Sequence, residues 1–125
     1  MTTRLEDTPL ENFTPISKVE ELQVIDIREG NGDPVPEGAT ITAHYTGARC
    51  KDGIIFQSSH DFGDPVTFGL SQVIQGWQQG VPGMKPGGIR RLIIPSQLAY
   101  GSVRAAANIP PNSDLVFDIE LVAVA

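Results

Sequence analysis

The side chains that could make or break bonds are few, and their spacing suits no familiar reaction. The chain carries two histidines, His44 and His60, and one cysteine, Cys50. These three form no spaced ligand set of the kind that zinc requires, so neither a metal site nor a cofactor is expected. No serine stands in a nucleophile-elbow pattern, and no glycine-rich loop ahead of a helix offers a phosphate cradle. Asp114, Asp118 and Glu120 read as the solvated side of a strand. What remains is an apolar and aromatic set: Tyr45, Phe56, Val73, Ile74, Trp77, Tyr100 and Phe117. Such a set either fills a core or lines a pocket. On its own, a lone Trp is better read as core. The two tyrosines keep a hydroxyl that needs a partner, which leaves the pocket reading open.

The elements that must hold this set follow from periodicity. Ile74, Trp77 and Val81 recur at spacings of three and four, which predicts one side of a short helix, and Pro82-Gly83 ends it. Strands are predicted around it. Leu22 to Arg28 is rich in Val and Ile. From Ala39 to Thr46 the alternation is clean, with Ile41, Ala43 and Tyr45 facing one way. Asp52-Gly53 signals a hairpin that leads into Ile54-Ile55-Phe56 and on to Ser59. Val66, Phe68 and Leu70 alternate again, Ile89 to Ile94 is an apolar strand, and Leu115, Phe117, Ile119 and Leu121 mark a closing one. Residues 1–18 have no period and are expected to be a mobile extension, with one domain over 19–125. The 97–112 stretch reads as a long loop, which is usually functional or disordered. The fold class is α+β: a twisted antiparallel sheet of about five strands wrapped around one short helix.

Composition narrows the function. At 125 residues the chain can build one core of its own. Nine basic against fifteen acidic residues give a net charge of -6, which argues against a nucleic-acid partner. No apolar run approaches the roughly 20 residues of a membrane span. No secretory signal stands at the N-terminus, so a cytoplasmic protein is expected.

Five motifs in order carry a resemblance. They are His44-Tyr45-Thr46-Gly47; Asp52-Gly53 with Phe56 and Ser58-Ser59; Val73-Ile74-Gln75-Gly76-Trp77; Ala99-Tyr100-Gly101; and Ile109-Pro110-Pro111 through Leu115-Val116-Phe117-Asp118. Over roughly residues 20–125 the chain resembles the FKBP-type peptidyl-prolyl isomerases. The resemblance implies cis/trans isomerisation of X-Pro bonds in peptides and unfolded proteins, binding of the macrolides tacrolimus and rapamycin, and a monomer. It implies that Tyr45, Phe56, Val73, Ile74, Trp77 and Phe117 line the pocket, with Trp77 as its floor. The Ile74 N–H and the Tyr100 hydroxyl would hold substrate carbonyls, and Ile109 would come from a loop above.

The chain also departs from the family pattern. Gln57 stands where an Asp is common, and Phe62 where the Arg that pairs with that Asp would fall, so the two positions are expected to face one another. Val66 replaces a rim aromatic, and Ala105 replaces a His. Two rival readings stay open. One is a non-catalytic prolyl-peptide or macrolide-binding scaffold module, because fold alone does not fix function. The other is a plain structural domain whose apolar set closes on itself.

Overall fold

A computed structural model of the chain describes residues 4–103 and 108–124. The predicted elements are there: β1 (Gln23–Arg28), β2 (Thr40–Arg49), β3 (Ile55–Ser58), β4 (Val66–Gly69), α1 (Gln75–Gly80), β5 (Ile89–Ile94) and β6 (Leu115–Val124). The strands form one sheet in the order β1-β5-β6-β2-β3, with β4 also on β2, and every pairing is antiparallel. β3 and β4 share one flank of β2: β4 pairs with Thr40–Ala43 and β3 with Thr46–Ala48. Six strands therefore fill five positions, which is the expected sheet with one edge strand split in two.

The split has a chemical consequence. Between the two halves Tyr45 has no strand partner on that side, and the Ser59 Oγ accepts its N–H at 2.8 Å instead. Ser59 is fully buried. It opens the 3-10 turn Ser59–Asp61, so the turn that breaks the edge also replaces the missing ladder bond.

α1 packs on one face of the sheet close to β5. A methyl added at Gly76 would lie 2.6 Å from the Ile94 side chain, and one at Gly80 would lie 2.6 Å from that of Leu92. Side chains of zero size at i and i+4 let the helix backbone settle onto the strand. The same turn sends Trp77 and Val81 into a core built from Ile41, Ala43, Leu92, Ile94, Leu115, Ile119 and Leu121. Gly83, with φ +98°, ends the element as the sequence predicts.

The other face corrects one expectation. Residues 4–18, expected to be mobile, lie along the sheet as a strap. Leu10 and Val19 are buried with Ile55, Ile93 and Val116, and Leu5, Phe13 and Ile16 pack beside them. The strap's N–H groups find fixed acceptors: Asp7 on Ile55, Leu10 on Gly53 and Ile16 on Cys50. Leu5 and Glu6 donate to the two carboxylate oxygens of Asp61 at 2.7 and 3.0 Å. Arg91 reaches through the strap to the Glu11 and Asn12 carbonyls while pairing with Asp118. Without the strap, an apolar strip of the sheet's second face would meet water.

Candidate functional site

Trp77 leaves α1 toward the sheet and meets three rings edge-on. Phe68 lies at 5.1 Å, Phe117 at 5.4 Å and Tyr45 at 5.8 Å between ring centres. Phe56 stands against Phe117 at 5.7 Å, almost perpendicular to it. Edge-to-face pairs are the favoured aromatic arrangement and add about 0.5–1.5 kcal/mol each beyond burial. The rings therefore hold one another in place. They do not fill the space between them. A cavity of about 360 Å³ opens here, lined by Tyr45, Phe56, Gln57, Phe68, Gln72, Val73, Ile74, Trp77, Tyr100 and Phe117. Trp77 is only 4% exposed yet forms part of that lining, so it is both core and floor. Its indole N–H finds no partner among the described residues.

The backbone explains why these side chains converge. Gly47 pairs with Phe117 across β2 and β6, and Tyr45 pairs with Ile119 two rows away. Where Gly47 lacks a side chain, the Phe56 and Phe117 rings move in: a methyl there would sit 2.6 Å from one and 2.7 Å from the other. Phe56 is fixed from behind as well. The Asn108 amide donates to its carbonyl at 2.9 Å, and Arg49, paired with Asp52, donates to the Asn108 carbonyl. Val73 and Ile74 come from the turn before α1. Ile74 caps the helix with an extended backbone (φ -57°, ψ 152°), and its carbonyl accepts the Trp77 and Gln78 N–H groups.

Among the described residues, no charged side chain lines the cavity. Burial raises the Tyr45 hydroxyl above its ordinary range, with the nearness of Tyr100 adding to it, and burial alone raises that of Tyr100. Both hydroxyls stay protonated donors through neutral pH. Other hollows differ in kind. A cleft of about 210 Å³ near β1 is lined by Asp26, Arg28, Glu29, Lys85 and Arg90, which largely pair with one another. A wider groove of about 510 Å³ lies beneath the strap.

Of the residues expected at the site, Tyr45, Phe56, Gln57, Val73, Ile74, Trp77, Tyr100 and Phe117 meet in one cavity. Two do not. Val66 lies on the exposed outer end of β4, paired with Ala43, and does not line the cavity. The rim aromatic is Phe68, two residues along the same face of that strand. Ile109 is buried in the core beside the aromatic cluster and does not face the cavity. Gln57 and Phe62 are both exposed, Phe62 to 65%, so the expected facing pair is not a buried one. Ala105 lies outside the described residues. Phe68 was legible in the alternation of Val66, Phe68 and Leu70. Gln72 and Asn108 carry no local signal that would have marked them.

Comparison with known proteins agrees with this geometry. The family model for FKBP-type peptidyl-prolyl cis-trans isomerase matches residues 32–122. The chain is similar to the FK506-binding protein of Neisseria meningitidis serogroup B, 45% identical over 105 residues that cover 82% of this chain and 95% of that one. Among solved structures it resembles the peptidyl-prolyl cis-trans isomerase of Pseudomonas syringae pv. tomato, with a TM-score of 0.76 and 34% identity over 88% of this chain and 80% of the other. It also resembles FkpA from Escherichia coli, with a TM-score of 0.76 and 36% identity, covering 92% of this chain and 52% of that one.

Proposed function

This chain belongs to the FKBP-type peptidyl-prolyl cis-trans isomerase family, and from that premise we propose how its pocket turns an X-Pro bond. The observation that carries the reading is the ring-walled cavity of about 360 Å³ above Trp77, whose described lining carries no charge. Rotation about an X-Pro bond faces a barrier of ~20 kcal/mol set by amide resonance. No bond is made or broken, so the reaction asks for neither a nucleophile nor a proton shuttle. It asks for a site that fits the twisted amide better than either planar form.

Each wall has a part in this. The proline ring rests on Trp77 between Phe56, Phe68 and Phe117. The planar amide is the more polar form and the better solvated one, so an apolar wall favours the twisted form. Ile74 N–H and the Tyr100 hydroxyl hold the flanking substrate carbonyls, which fixes one side of the bond while the other rotates. Tyr45 closes the far wall. Gln57 and Gln72, at the open edge, meet the residues beyond the proline. The same cavity suits a macrolide such as tacrolimus or rapamycin. A monomer working in the cytoplasm completes the proposal.

NMR exchange on a short X-Pro peptide tests the isomerase roles. Wild-type protein accelerates exchange, and Trp77→Leu and Tyr100→Phe each reduce it while the protein stays folded. Binding without acceleration would instead mark a scaffold module. Trp77 is the chain's only Trp, so tacrolimus should change its fluorescence. A titration with no change in fluorescence and no heat would remove the macrolide part.

A further inference from the structure

We propose that Asp114 is a positioning residue for Tyr100. Its carboxylate is split between two parts of the chain. One oxygen accepts the Ser96 N–H at 2.8 Å, and the other accepts the Val19 N–H at the end of the strap, also at 2.8 Å. The Asp114 carbonyl in turn takes the Cys50 N–H at 2.9 Å, which ties the residue itself to the sheet. Asp114 stands just ahead of β6, a rigid strand with buried neighbours.

Ser96 is the residue on which the Tyr100 turn hangs. It opens the 3-10 turn Ser96–Leu98, and its carbonyl accepts two N–H groups, from Ala99 at 3.0 Å and Gly101 at 2.8 Å. Tyr100 therefore sits between two residues, Ala99 and Gly101, both tied to Ser96. Tyr100 is 40% exposed, so packing holds it on one side only. The opening N–H groups of a helical turn have no partner within the turn. Here the one at Ser96 is taken by Asp114 and by no other described group. Removing that acceptor frees the base of the turn and lets the Tyr100 hydroxyl drift from where it meets a substrate carbonyl. The proposal rests on the reading that Tyr100 donates to substrate.

The test is a double-mutant cycle on kcat/KM for an X-Pro peptide, with folding checked by circular dichroism. Tyr100→Phe is expected to lower kcat/KM several-fold, up to about tenfold, as the loss of one hydrogen bond allows. Asp114→Ala is expected to do the same alone and to add nothing in the Tyr100→Phe background. Asp114→Asn keeps one acceptor oxygen and is expected to recover most of the loss. If Asp114→Ala does not fold, Ser96→Pro carries the test. It removes the N–H together with the serine hydroxyl, at the first position of a helical turn where Pro is tolerated. The preceding Pro95 already has the extended ψ of 153° that a following Pro requires. Ser96→Pro should match Asp114→Ala. If Tyr100→Phe lowers activity but the second mutation multiplies that loss, or has no effect alone, the proposal for Asp114 fails and the reading of Tyr100 stands. If Tyr100→Phe has no effect, both fail.

Discussion

Replacing Gly47 by Ala tests whether the aromatic walls are held as rigidly as their packing implies. Gly47 does not have a positive φ, so an L side chain suits its backbone. On chain entropy alone, Gly→Ala at such a site stabilises by about 0.4–1 kcal/mol. Space decides the other way. The new methyl would lie 2.6 Å from Phe56 Cζ, 2.7 Å from Phe117 Cε1 and 3.0 Å from Phe117 Cδ1. A flexible side-chain tip could yield, but these are two rings locked against each other, one of them also against Trp77. Overpacking of that kind costs about 1–3 kcal/mol. The net expectation is a loss of about 1–2 kcal/mol, read as a lower urea midpoint at unchanged m-value.

Activity is expected to fall further than stability. The cavity is open space beside both rings, so relief of the clash moves a wall into the substrate's place. Misplacing a positioning group by about 1 Å can cost 100-fold in rate, and a loss of about tenfold or more in kcat/KM is expected here. A Gly47→Ala protein as stable as wild type, with unchanged kcat/KM, would refute the rigid-wall argument.

Three further outcomes follow from the same geometry. Across an X-Pro peptide series, Leu or Phe before proline should give a higher kcat/KM than Glu, because the described lining of the cavity offers no cation and the protein's net charge is -6; a preference for Glu would contradict this. Gln57→Asp should change stability by less than about 0.5 kcal/mol and show no coupling to Phe62→Arg, because both positions are exposed; a coupling above about 1 kcal/mol would mean that the two sides of the 59–65 turn meet in solution. Burial pushes the Cys50 thiol up to about 12, with the charge of Asp114 adding to it. An unfolded thiol ionises near about 8.5, so this contribution is complete below that pH and is lost as pH rises toward 12. Cys50→Ala should therefore flatten the alkaline fall in the urea midpoint, and parallel curves for the two proteins would refute the assignment.

The parts of this molecule that could be read from sequence are those whose cause is local. Trp77 and Val81 enter one core because the helix period brings positions four apart to one side, and Tyr45 and Phe117 reach the cavity along strands whose alternation is plain. The strap could not be read this way. Leu5, Leu10, Phe13, Ile16 and Val19 follow no period, because each is placed by a contact with the sheet rather than by its neighbours in the chain. The acceptors that fix the strap, Asp61 and Asp114, lie 55 or more residues away in sequence. The departures from the family pattern at 57, 62 and 66 divide along the same line. All three positions are exposed, whereas Phe56, Trp77 and Phe117 are at most 5% exposed and bound into one set of ring contacts. A change at an exposed position costs little because water takes up the difference. A change at the floor must instead be absorbed by rings packed edge to face against one another.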